Sequence, residues 1–562
     1  MYVFQSAGQL SIEEFYVPFG GKLDPGNRWV GLADLIPWEP LENRYAPLFS
    51  AKTGAPAKPF RMAFGAVYIQ QRLGVTDRET VELITESPYL QFFIGLSGFQ
   101  YLRPFDPSMM VHFRKRIGPD LIKVCNDMTK ANGIAKIQDL LVSSQEERSE
   151  AEQAELEAIE TELGVRPTTL EPGSNWGTLM LDATCVPDDI PYPVDLRLLN
   201  EAREITETII DKLFRQLQGK IDRKPRCNRD KARNRFLSII KKKKPKRDEI
   251  REAKWFQLNE IKKNLTTIDS MIHSGAVLLE LGGQLYRKLL VTSELHRQQQ
   301  EMYDADSCRV GNRIVNLSKP HVRPIVRGKA GKKTEFGAKI SISDDNGFVE
   351  VDRISWDNYN EANDLIDRAT RYKEERGYYP ARICADAIYM TFANKKFCED
   401  NGIRLSGRAR KKEIAEIKIQ STEQQELFRS DLRKRSVIEG RIGTSKRKYG
   451  LDRIMTKLIE TSQSVIGMAF FVMNAEKILR LLRLLFALIV SVYMAIMCLF
   501  APERRTALYG SVLDKFIEPF LNLLTRLRPA KGSPLMRHES WKTNFSKPYV
   551  GDHAPGGAPD RS

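Results

Sequence analysis

Asp182, Asp386 and Glu439 are the acids of this chain whose settings could do chemistry. Asp182 stands near the end of the apolar run "GTLMLDAT" (177–184). Asp386 closes the short run in "YYPARICADAIYM", and Glu439 sits among cations in "DLRKRSVIEGRIGTSKRKYGL" (431–451). Carboxylates with no Cys or His cluster nearby suit Mg²⁺ or Mn²⁺ rather than zinc. Two such ions, about 3.5–4 Å apart, can activate a water or a 3′-hydroxyl and stabilise the leaving oxygen of an in-line attack on phosphorus. In that chemistry Asp182 would bridge both ions, with Asp386 on one and Glu439 on the other. No protein nucleophile is needed. The segment "GKAGKKTEFG" does not match G-x-x-x-x-G-K-[ST], which argues against a nucleotide-hydrolysing phosphate loop.

Each acid also has an ordinary reading. Arg435 and Glu439 are four residues apart, an exposed helical pair contributing a few tenths of a kcal/mol. Asp182 could be a strand-end turn residue and Asp386 the cap of a following helix. Leu432, Arg435, Glu439, Ile442 and Lys446 recur at helical spacing, and two of the five are apolar. That side is therefore expected to face the protein and to take Glu439 with it. If the acids act together, Arg435 and Lys446 become contacts for DNA phosphates, a reading that extends to Arg447 and Lys448.

The elements that must position these residues are legible in outline. Residues 1–135 read as an all-α N-terminal domain for DNA binding or dimerisation. "TDRE" at Thr76–Glu79 is a capping box, and "DPSMMVHFRKRIG" puts Asp106 at a cap and Pro107 at the first helical position. That helix ends in Arg114, Lys115 and Arg116, which could approach phosphates, although plain bundles use the same pattern. Residues 136–170 read as an acidic linker helix. A catalytic domain is expected over 171–475, with a helical, basic insertion at about 196–310. Between Lys220 and Arg247 fourteen basic residues stand against two acidic ones, either a solvated run or a phosphate-neutralising one. Asn346-Gly347 between alternating runs signals a type I′ hairpin. A helix ending at Gly377, the strand before Asp386, the helix "TFANKKFCEDNG" and the strand "IRLSG" follow. Gly440 and Gly443 each weaken the helix carrying Glu439 by roughly 1 kcal/mol relative to Ala, so a bend before Lys446 is expected. Residues 476–562 form an apolar helix and a basic tail.

At 562 residues the chain exceeds a single core, and its formal charge of +16 favours a polyanionic partner, nucleic acid or an anionic membrane. Seven cysteines without a C-x-x-C pair suit a reducing cytosol. No secretory signal is visible at the N-terminus. Leu484–Ala501 carries no charge and lies at the lower limit for spanning a bilayer, with a buried interface helix as the alternative.

Over most of residues 10–475 the sequence resembles the DDE transposases of bacterial insertion sequences, nearest to those with an InsH-like N-terminal domain. The resemblance rests on "HFRKRIG", "LMLDATCVPDDIPYPVDLRLLNEARE", "KPHVRPIVRGKAGKKTEFGAKISIS", "YYPARICADAIYMTFANKKFCEDNGIRLSG" and "RSVIEGRIGTSKRKYGLDRIMTKLIETS". It implies an RNase H-like α/β fold with a mixed sheet and a large helical insertion, preceded by the all-α domain. The family's acids fall on Asp182, Asp386 and Glu439. Its Tyr-x₂-Arg-x₃-Glu-x₆-Lys pattern falls on Leu432, Arg435, Glu439 and Lys446, with Leu432 replacing the usual Tyr. "SGRARKK" stands where relatives often carry a Gly-Pro-rich turn. Arg327 and Lys329, in the third segment, join the candidate DNA contacts. The resemblance further implies two Mg²⁺ or Mn²⁺ ions, cleavage at element ends, joining of the 3′-hydroxyls to target DNA, and a homodimeric synaptic complex on double-stranded DNA in the bacterial cytoplasm. A catalytically silent DNA-binding descendant and a membrane-anchored basic protein are the alternatives.

Overall fold

The computed structural model describes residues 1–2, 4, 11–50, 54–143, 171, 173–326, 334–407 and 422–500. Met1–Phe486 forms one compact unit, and the described part of a second unit is the end of the last helix. The N-terminal part is helical: α1 (Arg28–Leu35), α2 (Trp38–Tyr45), α3 (Phe60–Leu73), α4 (Asp77–Glu86), α5 (Pro88–Phe93), α6 (Met109–Arg116) and α7 (Pro119–Ser143). The capping box at Thr76 and Glu79 starts α4 as the sequence requires. Asp106 does not cap α6. It accepts from the Ser108 amide (2.9 Å) in the turn before that helix, which begins only at Met109. An aromatic cluster fills this region: Trp38 lies against Phe60, Phe64 and Phe93.

The second part is built on one mixed sheet: β1 (Thr178–Pro187), β2 (Arg323–Val326), β3 (Thr334–Asp345), β4 (Phe348–Ser355), β5 (Arg382–Ala385) and β6 (Arg404–Gly407). β3 pairs antiparallel with β1 along one edge. Its other edge takes β2 at one end and β4 at the other. β5 adds parallel to β1, and β6 parallel to β5. Antiparallel strands on one side of β1 and parallel ones on the other make this the RNase H-like arrangement expected. The β3–β4 hairpin turns on Asn346 (φ 52°) and Gly347 (φ 81°), two positive φ values of the kind a type I′ turn needs. β1 runs three residues beyond the expected apolar stretch, so Asp182 lies at mid-strand and not at its end.

Between β1 and β2 the chain leaves the sheet for the helical insertion, α8 (Asp195–Gln216), α9 (Arg229–Ile240), α10 (Arg247–His273) and α11 (Gly283–Asp304). The insertion has its own core, in which Leu199, Ile209, Ile210 and Leu213 of α8 meet Leu258 and Ile261 of α10 and Leu295 of α11. After β4 come α12 (Asp364–Arg376), capped by left-handed Gly377, and α13 (Phe392–Asp400) between β5 and β6. Leu179 and Leu181 of β1 and Ile383 and Ala385 of β5 pack with Leu365, Ala369 and Tyr372 of α12 and Cys398 of α13.

The chain closes with α14 (Thr422–Lys448) and α15 (Ile459–Phe500). α14 stays helical through Gly440 and Gly443 as far as Lys448, its contacts with the sheet outweighing the glycine cost. α15 joins the helical part to the sheet. Phe471 packs against Phe64 and Tyr68, while Asn474 bonds both Val349 of β4 and Asn126 of α7. Among the described residues no helix is long and apolar enough to cross a membrane. Residues 501–562, with the expected basic tail, and the side chains of residues 488, 489 and 491–500 lie outside the described residues, as does most of the linker segment 136–170.

Candidate functional site

Strand geometry brings the two aspartates together. Successive side chains on a strand point to opposite faces. Leu179 and Leu181 face α12, so Met180 and Asp182 face the other way. On β5, Ile383 and Ala385 face the same core, which turns Cys384 and the following Asp386 to the opposite face. The parallel register pairs Met180 with Cys384. Two residues further along each strand direction lie Asp182 and Asp386, side by side on the face away from α12. Asp386 also caps the short turn Ala387–Tyr389, accepting from the Ala387 amide at 2.8 Å. The ordinary cap reading is thus correct and does not displace the other.

That face is covered by α14. Asp431 near its middle, 3% exposed, accepts from Arg382 of β5 (2.9 Å) and Arg404 of β6 (3.0 Å). Farther along, Lys446 donates to the Cys185 carbonyl of β1 at 2.7 Å, and Arg441 lies 3.5 Å from the buried Asp344 of β3. Ile438 is completely buried between these attachments. The buried line of α14 therefore runs through Asp431, Ile438 and Ser445, seven residues apart, and not through Glu439. A helix turns about 100° per residue, so Glu439 stands one step round from Ile438 and its side chain is 54% exposed. The expected burial of Glu439 is corrected: it borders the covered face instead of entering it.

Arg435 links the acids. Its guanidinium donates to Glu439 at 2.6 Å, the helical pair expected, and lies 3.9 Å from Asp386. Burial pushes the Asp182 carboxyl up to about 6. The Ala183 amide and Arg435 oppose that rise, whereas the charges of Asp386 and Glu439 reinforce it. Asp182 thus feels both other acids and the one cation between them. Among the described residues, no three acids, His or Cys are drawn closely enough to hold an ion as the side chains stand. The donor set nevertheless fits a hard divalent cation. It consists of carboxylates alone, the two aspartates are partly buried, and their mutual repulsion is met by a guanidinium on a long, rotatable side chain.

The remaining candidate cations divide. Arg114 is corrected: it is buried, with its guanidinium on Asp77 (2.7 and 2.8 Å) and Gln70 (2.6 Å), and ties α6 to α3 and α4. Lys115 and Arg116 are exposed, Arg116 lying over the Phe49 ring. Lys446 is turned to the strand carbonyl, and Lys448 reaches Glu476 at 3.1 Å. Arg447 is exposed. Arg327 and Lys329 lie outside the described residues, as does the segment "RARKK". Asp431, Arg441 and Asp344 escaped the sequence reading because their pairing spans distant elements. Only the seven-residue spacing of Asp431, Ile438 and Ser445 hinted at the covered face.

Two segments of the chain match known families. Residues 18–116 match the family described as "Transposase domain (DUF772)", and residues 383–476 match "Transposase DDE domain". Both matched families are transposase domains, and the second is a DDE domain. The second match takes in Asp386, Arg435, Glu439 and Lys446, and the first takes in the helices that α15 joins to the sheet. The chain is also 34% identical over 122 residues to an uncharacterized protein, ORF8 in the nfe locus, of Rhizobium meliloti. That stretch is 21% of this chain and 58% of the relative, so the chain spans little more than half the length of the curated relative it matches. No solved structure matches it.

Proposed function

We propose that this protein is an insertion-sequence transposase. It would cut double-stranded DNA at the ends of its element in a metal-dependent reaction and transfer the freed 3′-hydroxyls into target DNA. One observation carries the reading. Asp182 and Asp386 stand in adjacent register on the sheet face covered by α14, where Arg435 connects Asp386 to Glu439, inside a chain with two transposase domains.

Asp182, Asp386 and Glu439 would hold Mg²⁺ or Mn²⁺, which supplies an activated oxygen nucleophile and charge stabilisation at phosphorus when bound. The chain's own residues do the rest. The sheet fixes the two aspartates on parallel neighbours, Asp182 within β1 and Asp386 just past the end of β5. The Asp431 and Lys446 attachments hold the helix that presents Glu439. Arg435 pairs with Glu439 and lies near Asp386, and released from Glu439 it is placed to meet a phosphate. Lys446, turned to Cys185, acts here as a positioning residue for α14.

The test uses duplexes carrying the DNA that flanks the coding segment on each side. Wild-type protein should nick them in Mg²⁺, while Asp182→Asn, Asp386→Asn and Glu439→Gln each reduce cleavage at least a thousandfold and bind the duplex about as well. Wild-type rates in any of the three would remove that residue from the site. Cleavage without divalent cation would reject the reading.

A further inference from the structure

The helical insertion takes no part in the acid cluster, yet it holds the densest positive charge in the chain. Folding divides its cations into two sets. One set holds the scaffold together. Arg229 clips α9 to α8 through the Asp211 carboxylate (2.5 and 2.9 Å) and the Glu207 carbonyl (3.1 Å). Arg235 clips α9 to α10 through Glu252, with its guanidinium over the Phe256 ring. Lys224 pairs with Asp211 and Lys242 with Glu249, each at 2.7 Å, and Arg247 reaches Asp306 at 2.5 Å.

The other set points outward. Arg223, Arg226, Arg233, Lys241, Lys243 and Lys244 are all exposed, and none has an acid partner among the described residues. The exposed acids on the same stretch, Asp222, Asp230 and Asp248, are too few to neutralise them. Six uncompensated cations on a platform already braced by ion pairs create a fixed positive surface, which attracts polyanions by releasing their counterions. An anionic membrane would meet the same charge. A helix that lies in a bilayer interface needs an apolar face to insert, however, and none of the large hydrophobic residues between 220 and 250 is exposed.

We propose that the α8–α9 connection, the exposed face of α9 and the α9–α10 turn form a sequence-independent docking surface for the phosphates of duplex DNA, separate from the acid cluster. The proposal rests on the reading above that DNA is the substrate, and it adds where the chain grips DNA away from the cut. In the cleavage reaction the surface would hold duplex outside the reacting bond.

The experiment is binding of the full chain to a random-sequence duplex, followed by fluorescence anisotropy over a range of salt concentrations. Two variants are compared with wild type: Lys241→Gln/Lys243→Gln/Lys244→Gln and Arg223→Gln/Arg226→Gln/Arg233→Gln. Only outward side chains change, so thermal melting should stay as in wild type. Each lost phosphate contact lowers the slope of log K against log salt by about 0.9, so each variant should flatten it by about 2 to 3. Wild-type slopes in both variants would overturn the proposal. So would variants that lose binding to phosphatidylserine vesicles while keeping the wild-type DNA slope, because the surface would then belong to a membrane. Flattened slopes with no metal-dependent cleavage by wild type would support this surface and count against the proposed reaction alone.

Discussion

Asp182 illustrates how much a single residue's setting depends on its neighbours' parity. Its strand alternation turns it away from the apolar core, and its register brings it beside Asp386. Both facts follow from period-two geometry, which is why a short apolar run ending in Asp was informative. Glu439 was harder to read because one residue on a helix is a large rotation. Leu432 and Ile442 suggested one buried side, whereas the sheet selects the side of Ile438. Arg114 was misread for another reason. Its partner Asp77 comes from a helix more than thirty residues earlier, and nothing local reveals that pairing.

His321 offers a prediction at the same scale. It is buried edge-on against Trp356, with neither ring nitrogen hydrogen-bonded among the described residues. Burial, helped by Lys319, Arg287 and Arg323 and opposed by Glu460, pushes its pKa down to about 4. The folded protein therefore keeps it neutral where the unfolded chain, near 6.5, takes up a proton. Stability from this group is complete above about pH 6.5 and is lost as pH falls towards 4, by up to about 1.4 kcal/mol per pH unit. His321→Phe keeps the ring contact and should flatten the acid side of a stability–pH curve measured by denaturant unfolding. An unchanged acid limb would show that the imidazole is not held neutral.

At the scale of elements, α14 is the part whose placement decides the site. Its attachments to β5 and β6 through Asp431 and to β1 through Lys446 lie on either side of Glu439. The helix itself was legible from spacing, and so were the hairpin at Asn346-Gly347 and the strand before Asp386. The attachments were not, since Arg382, Arg404 and Cys185 are distant in sequence. Asp431→Ala would leave two partly exposed arginines without their shared acid. The expected cost is about 1–3 kcal/mol, below the usual figure for a fully buried pair. Cleavage should fall at least tenfold under conditions where the variant remains folded, with duplex affinity little changed. Full cleavage by the folded variant would show that Glu439 is positioned without this clamp.

At the scale of the molecule, α15 makes the helical N-terminal part and the sheet one body. Phe471, 1% exposed, touches Phe64 and Tyr68 on one side, and Asn474 bridges Asn126 and Val349 a turn later. Phe471→Ala should cost about 3–5 kcal/mol. The tryptophans of the helical part and the circular dichroism of the whole should still change in one transition, because no other joint is freed. Separate transitions in wild-type protein would contradict this unity. The insertion stands apart, with its own core and its own surface, and its dense charge was plain in the sequence. Which cations brace it and which face outward was not, since the division is set by acids on α8 and α10 and by Asp306.

The central claim is that Asp182, Asp386 and Glu439, gathered from strands and a helix about two hundred and fifty residues apart, serve one divalent-cation site. Anomalous scattering from Mn²⁺ in crystals of the full chain tests it most directly. Manganese should be held by these three carboxylates, with Arg435 released from Glu439. Manganese bound elsewhere, with Glu439 still paired to Arg435 and the two aspartates bare, would contradict it.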